Sequence, residues 1–351
     1  MDIDSVKITP QMLVQIAELD TFKGAWSGLA ASRLATLKTL KRISTIESIG
    51  SSNRIEGNKL SDEEVETLLA GIKKTAFKSR DEEEIAGYAE LMNVIFDDYE
   101  VIPLTENYIK QLHKILLQFV SKDRRHRGEY KKMPNSVAAF DATGKEVGIV
   151  FETAPPFDTP RLMEGLTEWT RKNLDDPFHH PLIVIGLFVV HFLAIHPFQD
   201  GNGRLSRALT TLLLLKKGYA YVPYSSMESV IETSKEGYYR ALRRTQKTFP
   251  HGTPNYEPWL AFFLTVLQKQ KRHLEQKIEE PPSGNATGKN VSRLATQVLA
   301  LFDEKPQWTN PEITAALNSH PETVRKTVKS LADTGYIKKY GTTRGAWYQK
   351  D

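Results

Sequence analysis

Apolar positions recur at helical spacing along most of the first 280 residues. Several helix starts are marked: Ser61 has a glutamate three residues later, as in a capping box, and Thr105 precedes an amphipathic run. A proline follows Thr159, where the first turn of a helix tolerates it. The pattern predicts a mainly α-helical fold. Helices are predicted at 11–19, 34–46, 61–69, 81–96, 105–119, 181–196, 203–215, 226–245 and 256–278, with another opening at Thr159.

One predicted helix, residues 181–195, is apolar on all its faces. It is shorter than the ~20 residues that a bilayer-spanning helix needs, and it contains His191. We therefore interpret it as a buried core helix. The N-terminal residues begin acidic and lack the apolar stretch of a signal peptide, so we expect a cytoplasmic protein with no membrane partner.

Two stretches interrupt the helical pattern. Residues 121–156 are rich in glycine and proline, and they predict a loop and a β-hairpin with a turn at 141–144 and a strand at 147–151. Residues 281–289 hold turn formers and no apolar anchor, which predicts a linker. Beyond it, a separate module is predicted, with helices at 291–303, 310–317 and 321–331 and short strands at 335–337 and 346–348.

Length and composition narrow the class of protein. The 351 residues suggest two or three domains, at roughly 100–200 residues per domain. Lys+Arg 47 against Asp+Glu 43 gives a net charge of +4, too balanced to mark the whole chain as a nucleic-acid binder. The absence of cysteine excludes disulfides, thiolate nucleophiles and cysteine-based zinc sites.

The segment 196–207, with the sequence HPFQDGNGRLSR, carries the most specific chemistry. Glycines before a helix start let backbone N–H groups face a ligand, and the helix N-terminus favours an anion. Arg204 and Arg207 share one helix face, from which they can bind phosphate oxygens. Asp200 offers a hard oxygen ligand for Mg²⁺, and His196 has a pKa suited to taking a proton from a hydroxyl. Together they describe base-assisted attack of an alcohol on a Mg²⁺-bound nucleotide phosphate.

This segment resembles the Fic signature, His-x-Phe-x-Asp/Glu-Gly-Asn-Gly-Arg-x-x-Arg, at every defined position. The resemblance implies a mainly α-helical core that moves AMP from ATP onto a protein hydroxyl, with His196 as general base and Asp200 as the Mg²⁺ ligand. It also implies that Arg204 holds the β-phosphate, that Arg207 holds the γ-phosphate and that Phe198 anchors the loop. The implied anion hole around the α- and β-phosphates consists of Gly201, Asn202 and Gly203.

A second stretch, residues 51–58, places Ser52 and Glu56 one helical turn apart, with Gly57 as a helix stop. Its plain interpretation is a solvated glutamate at a helix C-terminus, although the helix dipole disfavours a carboxylate there without a cationic partner. The stretch resembles the inhibitory motif of Fic proteins, Ser/Thr-x-x-x-Glu-Gly/Asn, in the class whose inhibitory helix precedes the core. The resemblance implies that Glu56 pairs with Arg207 and withholds it from the γ-phosphate. In some relatives this glutamate also serves AMP removal, and that alternative stays open.

Two further predictions depend on the same resemblance. The hairpin at 147–153 resembles the family's flap, which pairs with the target protein's backbone as an added strand; a plain surface hairpin is the alternative. The pair Tyr238-Tyr239 resembles a tyrosine pair of relatives in which one ring lies near the nucleotide, and we assign Tyr239 to that position. Tyrosines in such a helical pattern are otherwise core residues.

The C-terminal module resembles a winged-helix domain, which recurs beside Fic cores. The recognition helix would carry Thr323, Arg325, Lys326 and Lys329. Residues 290–351 hold nine Lys or Arg against six Asp or Glu, an excess of only +3. Winged helices also serve as docking or dimerisation modules, so a homodimer and DNA binding both stay open, with DNA the less favoured.

The sequence therefore predicts a Mg²⁺- and ATP-dependent protein adenylyltransferase that modifies Ser, Thr or Tyr hydroxyls, including its own, and that Glu56 inhibits. The predicted division is an N-terminal helical region at 1–100, a Fic catalytic domain at 101–280, the linker and a winged-helix domain at 290–351. Two alternatives remain. The same site could transfer another phosphate-linked group, or the protein could be a DNA-binding regulator that uses the Fic site as a nucleotide sensor.

Overall fold

The computed structural model describes residues 3, 6–71, 77–140, 146–279, 293–317, 319–333, 336–341 and 346–350. The predicted turn at 141–144 and the predicted linker at 281–289 lie outside these residues. The chain divides into two compact units, Met1–Ser283 and Gly284–Asp351.

The first unit consists of α-helices and one β-hairpin, which confirms the mainly α-helical prediction. The hairpin pairs β1 (Ser136–Phe140) with β2 (Glu146–Glu152) in antiparallel fashion. The helices in chain order are α1 (Pro10–Ser32), α2 (Leu34–Ile55), α3 (Asp62–Gly71), α4 (Arg80–Asp98), α5 (Glu106–Leu116), α6 (Thr159–Asp175), α7 (Pro181–Ile195), α8 (Asn202–Lys216), α9 (Met227–Thr233), α10 (Lys235–Gln246) and α11 (Glu257–Glu279).

The predicted caps are present at their helices. The Ser61 hydroxyl accepts from the Glu64 N–H at 3.3 Å, and the Glu64 carboxylate accepts from the Ser61 N–H at 2.9 Å, which is the reciprocal capping box. The Thr105 hydroxyl accepts from the Tyr108 N–H at 3.3 Å at the start of α5. These bonds satisfy backbone donors that the first turn of a helix leaves without partners.

Helix α7 lies at the centre of the core, with α6, α8, α10 and α11 packed against it. Its apolar side chains are buried on every side, as expected of a core helix. In the described part of the chain, no helix is long and apolar enough to cross a membrane. The central helix therefore fixes the position of the residues that follow it, beginning with His196.

The prediction of one helix at 226–245 was wrong. Ser234 separates α9 from α10 with φ −119° and ψ 30°, outside helical values. Its hydroxyl donates to the Val230 carbonyl oxygen at 2.6 Å. A serine side chain that binds nearby backbone competes with helical hydrogen bonds, which accounts for a break that apolar periodicity does not reveal.

The second unit has the element order expected of a winged helix. Its sheet is antiparallel with the order β3-β5-β4, and β3 was not predicted. Val298, Ile313, Val324 and Val328 are fully buried in its core. Thr323, Arg325, Lys326 and Lys329 lie on the exposed face of its last helix. The elements are α12 (Arg293–Glu304), β3 (Gln307–Thr309), α13 (Asn310–Ala316), α14 (Pro321–Asp333), β4 (Ile337–Tyr340) and β5 (Trp347–Lys350).

Candidate active site

The candidate site begins where α7 ends. His196 follows the helix in the left-handed conformation, with φ 51° and ψ 60°, and it is the non-glycine residue with positive φ among those described. Its N–H donates to the Phe192 carbonyl oxygen at 2.8 Å, which closes the helix. Phe198 is buried, and its ring stacks on the His113 ring at 3.8 Å between centroids, so it anchors the loop inside the protein.

The His196 ring is held as a neutral base. Its Nδ1 lies 3.4 Å from the Leu193 carbonyl oxygen. A carbonyl oxygen only accepts, so Nδ1 carries the hydrogen and Nε2 keeps its lone pair. Burial, assisted by the positive charge of Lys131, lowers the pKa of His196 to about 4. At neutral pH the ring is therefore ready to accept a proton.

The loop between α7 and α8 leads into the N-terminus of α8, the end of a helix that favours an anion. Gly201 precedes α8 with φ 80°, a conformation that favours glycine. The Asn202 side chain accepts from the Phe198 N–H at 2.9 Å and donates to the Phe198 carbonyl oxygen at 2.7 Å. Because its side chain is bound within the loop, a contribution of Asn202 to anion binding would come from its backbone N–H. A Cβ atom at Gly203 would overlap Glu56 Oε1, so a carboxylate already lies against the helix start.

Arg207 is bound by the end of α2. Its Nη2 donates to Glu56 Oε1 at 2.9 Å and to the Ser52 carbonyl oxygen at 2.7 Å, and its Nε donates to Ser52 Oγ at 2.9 Å. Burial by itself would lower the pKa of Arg207, but the Glu56 carboxylate raises it above its ordinary value. The structure thus brings together the three residues that the resemblance grouped as inhibitory.

Arg204 is bound from the opposite direction, by α4 and by its own loop. Its Nη1 lies 3.2 Å from Glu84 Oε2, and its Nη2 lies 3.2 Å from Asp200 Oδ2. Arg80 Nη2 reaches the same Asp200 oxygen at 2.9 Å, while Asp200 Oδ1 accepts from the Gly201 N–H at 2.7 Å. Burial would raise the pKa of Asp200, but Arg204 and then the other donors lower it. Asp200 is therefore ionised.

Both arginines keep donor atoms for a ligand. Arg204 Nε and Arg207 Nη1 are buried and form no hydrogen bond of standard geometry with the described residues. Buried donors are ordinarily paired, so these two groups suit an anionic ligand. Their position beside the N-terminus of α8 makes phosphate a chemically suitable partner.

The residues also fit a magnesium ion that is held mainly by a nucleotide. Asp200 supplies one carboxylate at the site, and the described residues contain no group of three or more His, Asp or Glu that could hold a metal by themselves. Mg²⁺ is commonly bound by one or two carboxylates together with water and substrate phosphates. The donor set therefore suits a metal that arrives with phosphates rather than a resident ion.

Of the two adjacent tyrosines, Tyr238 lies in the core and Tyr239 lies near the site. Tyr238 is buried, and its ring meets Tyr239 edge-on at 5.2 Å between centroids. Tyr239 is half-buried, and burial followed by the nearby Glu56 charge raises its pKa. Tyr239 thus lies near Glu56, and its contact with a nucleotide stays a prediction.

The hairpin is attached beside the candidate base. The Ala154 N–H, just after β2, donates to the Ala194 carbonyl oxygen at 3.3 Å near the end of α7. Pairing between β1 and β2 is irregular between Val137 and Ala138 and between Ala139 and Phe140. Docking of a target protein along 147–153 stays a prediction.

Sequence reasoning missed several residues that hold the site. His113 on α5 faces the Asp200 carbonyl oxygen through Nε2 at 3.0 Å. Arg80 and Glu84 pair with each other at 2.8 Å on α4 and also reach Asp200 and Arg204. Lys131 binds the turn at His196. The spacing of Arg80 and Glu84 was a signal of a helical ion pair, but neither Lys131 nor His113 stands in a recognisable motif.

Comparison with known proteins agrees with this geometry. Residues 103–214 match the family model described as Fic/DOC family. Proteins named protein adenylyltransferase Fic, from Drosophila willistoni and Drosophila melanogaster, are 28% and 29% identical to this chain over 207 residues. Each match covers 58% of this chain and 39% of the relative, so the chain spans about two fifths of the length of these curated relatives.

Solved structures share the fold. A Fic family protein from Desulfovibrio desulfuricans G20 has a TM-score of 0.64 and 23% identity, covering 99% of this chain and 98% of that one. A Fic domain containing signaling protein from Bacteroides thetaiotaomicron VPI-5482 has a TM-score of 0.58 and 24% identity, covering 75% and 96%. Fic-1 (aa134–508) from C. elegans has a TM-score of 0.54 and 15% identity, covering 76% and 72%.

Proposed function

Because this chain belongs to the Fic family, we propose that it is a protein adenylyltransferase that moves AMP from ATP to a Ser, Thr or Tyr hydroxyl, including its own. The observation that carries the proposal is the Glu56 carboxylate lying against Gly203 and bound by Arg207. A carboxylate in that position indicates that the start of α8 is built to hold an anion. The neutral His196 beside it supplies the base.

The proposed reaction is a displacement at the α-phosphorus of ATP. The target hydroxyl oxygen bonds to the α-phosphorus of ATP while His196 Nε2 takes the hydroxyl proton. The bond between the α-phosphorus and the oxygen bridging to the β-phosphate breaks, and pyrophosphate leaves with that oxygen. Arg204, Arg207 and the N-terminus of α8 offset the negative charge that develops on the leaving group. Mg²⁺ held by Asp200 would supply further charge neutralisation of the phosphates.

The choice of AMP as the group transferred is supported by the names of the Drosophila relatives. The residues of the site suit the binding of phosphates and the uptake of a proton, and they would suit another phosphate-linked donor equally well. Labelled GTP, CTP and UTP are therefore tested beside ATP, and exclusive labelling from one of them would replace AMP in the proposal.

The low basal rate that we propose follows from competition for one cation. A γ-phosphate would have to compete with Glu56 for the charge of Arg207, because the Glu56 carboxylate already binds Nη2 and leaves Nη1 as the donor without a hydrogen bond among the described residues. Removing one partner from such a largely buried charge pair changes binding by about 2–5 kcal/mol. ATP would then bind productively only after Glu56 moves away.

The test is self-labelling from α-³²P-labelled ATP. We expect the Glu56→Gly variant to label itself at least about 30-fold faster than wild type, which corresponds to the lower end of that range. Adding His196→Ala is expected to abolish the label. No gain in Glu56→Gly would refute the inhibitory role, and persistent labelling in the double variant would refute the base.

A matched pair of substitutions distinguishes loss of the Glu56 charge from a general disturbance of α2. Glu47 and Glu56 both belong to the α2 region, and Glu47 pairs with Lys277 at 3.4 Å away from the site. Glu56→Gln is expected to release labelling, because the amide keeps the shape and loses the charge. Glu47→Gln is expected to leave wild-type labelling unchanged. Equal gains from both would mean that loosening α2, not freeing Arg207, activates the protein.

A further inference from the structure

Two side chains outside the signature hold the backbone on both sides of the candidate base. Lys131 and Asn135 lie in the loop that leads into β1, and between them they bind every carbonyl oxygen from residue 195 to residue 198. The bonds are Lys131 Nζ to Ile195 at 2.9 Å, Lys131 N–H to Pro197 at 2.8 Å, Asn135 Nδ2 to Phe198 at 2.8 Å and Asn135 Nδ2 to His196 at 3.5 Å.

Lys131 is an unusual lysine because it is 3% exposed and has no carboxylate within ion-pair distance among the described residues. Its ammonium hydrogens are bound instead by three neutral oxygens: Asn135 Oδ1 at 2.8 Å, Thr153 Oγ1 at 2.9 Å and the Ile195 carbonyl at 2.9 Å. Burial lowers the pKa of Lys131 to about 8. A buried cation without a counter-charge is costly, so its retention calls for a purpose in the site.

The role that we assign to this lysine is to stabilise the turn at His196. A non-glycine residue with φ 51° is uncommon and carries a conformational cost, which the contacts around it must offset. The carbonyl groups around His196 would rotate if the backbone relaxed to negative φ, and this would break the three side-chain bonds from Lys131 and Asn135 and the backbone bond from the Lys131 N–H. The two side chains therefore hold the direction in which the imidazole projects.

The same lysine joins this turn to the hairpin. Thr153, directly after β2, accepts from Lys131 and donates to the Asn135 carbonyl oxygen at 2.6 Å. The Ala154 N–H adds a bond to the Ala194 carbonyl at 3.3 Å. The stem of the hairpin is thus connected to the turn at His196 through the Lys131 ammonium group and to the end of α7 through the Ala154 N–H.

We propose that Lys131 is a positioning residue for the transfer reaction, which fixes the left-handed turn at His196 and couples that turn to the stem of the β1–β2 hairpin. This inference rests on the proposed function for its kinetic part. The positive charge of Lys131 also supports this positioning role. Lys131 is the cation that most disfavours protonation of His196, after burial, while Glu56 and Asp200 act in the opposite direction.

The kinetic test uses the Glu56→Gly background, whose own labelling establishes whether transfer occurs at all. Lys131→Met removes the charge and the hydrogen bonds at similar length, and Lys131→Arg keeps a cation with several donors. We expect Lys131→Met to lower kcat by about 10- to 100-fold, the loss that a small misplacement of a catalytic group produces. The KM for ATP is expected to stay within about 3-fold, since the arginines that bind phosphate are untouched.

The pH profile distinguishes positioning from simple destabilisation. Lys131→Met removes a positive charge that lowers the pKa of His196, so the fall of kcat on the acid side of the pH profile should move to higher pH. Lys131→Arg keeps the charge and should leave the profile as it is with Lys131 in the same background. The matched control is Lys132→Met, because Lys132 is the exposed neighbour of the buried lysine. It is expected to leave kcat and the pH profile unchanged. A loss confined to the KM for ATP, or an unmoved acid side of the kcat profile in Lys131→Met, would overturn the proposal.

A second measurement does not depend on activity. Amide hydrogen exchange of the ligand-free protein should be faster at His196 and Phe198 in Lys131→Met than in wild type or Lys132→Met. Slow exchange in all three would refute the positioning role. If Glu56→Gly shows no labelling but exchange rises as expected, the proposed transfer fails and the role of Lys131 in the turn stands.

Folding is checked by thermal unfolding before either measurement. Should Lys131→Met not fold, Thr153→Val removes a single oxygen from the cluster at nearly constant volume. This variant is expected to shift the acid side of the kcat profile to higher pH and to speed amide hydrogen exchange at His196, both by less than Lys131→Met. Unchanged values in a folded Thr153→Val protein would contradict the coupling between hairpin and base.

Discussion

Arg204 and Arg207 lie three residues apart on α8, are equally buried, and are held in opposite ways. Arg204 is bound by Glu84 and Asp200, and the Glu84 side chain is 12% exposed. Among the described residues, the carboxylate within ion-pair distance of Arg207 belongs to Glu56, whose side chain is 34% exposed. Two arginines that look equivalent in the signature therefore differ in how readily a phosphate could replace their partners.

The surroundings of the two glutamates explain the difference. Glu84 lies in the second turn of α4, where it pairs with Arg80 at 2.8 Å as well as with Arg204 at 3.2 Å. Glu56 caps the C-terminus of α2, where the dipole of its own helix is unfavourable. Glu56 remains in place because Arg207 and the start of α8 offset that cost. We therefore expect the Arg204 region to be a fixed part of the site and the Arg207 contact to be the one that a competing anion displaces.

The largest expected effect is a difference in ATP affinity between two double-mutant cycles. In the Glu56→Gly background, Arg207→Ala should weaken ATP binding by about 2–5 kcal/mol. In the wild-type background its effect should be small, because Glu56 already occupies that guanidinium. Arg204→Ala should cost about the same in both backgrounds.

Isothermal titration of ATP into each folded variant measures these affinities. The comparison between the two arginines would break down if Arg207→Ala weakened ATP equally with and without Glu56. It would also break down if the cost of Arg204→Ala depended on Glu56, since the two regions would then act as one network.

A smaller effect should appear in the free energy of unfolding. Glu84→Ala leaves a buried arginine with Asp200 as its remaining partner, so it should destabilise the protein by about 1–3 kcal/mol without raising self-labelling. Glu56→Ala should raise labelling and cost no more stability than Glu84→Ala, because the partly solvated Glu56 carboxylate opposes the α2 dipole and its removal offsets part of the loss of a partner for the buried Arg207. Urea unfolding of the full chain gives both values. Increased labelling by Glu84→Ala would mean that Arg204 is also held back in the resting protein.

The sequence was informative where the chemistry is contiguous. The turn after α7, the glycine start of α8 and both arginines fall within residues 196–207, so local rules of helix ends and phosphate binding could predict them. The contact between Glu56 and Arg207 joins positions 151 residues apart, and a family resemblance was needed to suggest it.

Residues that act through tertiary packing were not predictable in this way. Glu84 ends a run of acidic residues, 81–84, that looks like a solvated helix start, and nothing local singles it out as the partner of Arg204. Lys131 and Lys132 are adjacent and identical in type, yet one is buried under the His196 turn and the other is exposed. Which lysine turns inward depends on the direction of a loop that has no regular period.

The last predicted effect again belongs to the Arg204 region and is a pH dependence of stability. His113 Nδ1 accepts from the Gly128 N–H at 3.0 Å, so Nε2 carries the hydrogen that faces the Asp200 carbonyl oxygen at 3.0 Å. Burial lowers the pKa of His113 to about 4, with Asp200 opposing the shift and Arg204 and His126 reinforcing it. Protonation would force a second N–H against the Gly128 donor.

The folded-state pKa of His113 lies below its unfolded value near 6.5, so the unfolded chain takes up the proton first as the pH falls. Its contribution to stability is therefore complete above about pH 6.5 and is lost towards pH 4, at up to about 1.4 kcal/mol per pH unit. His113→Gln should reduce that slope in urea unfolding between pH 4 and 6.5, and His273→Gln, at an exposed position on α11, should not. An unchanged slope in His113→Gln would mean that protonation of the imidazole under Asp200 does not weaken the Arg204 region, and the contrast with the Arg207 contact would then rest on Glu84 and Asp200.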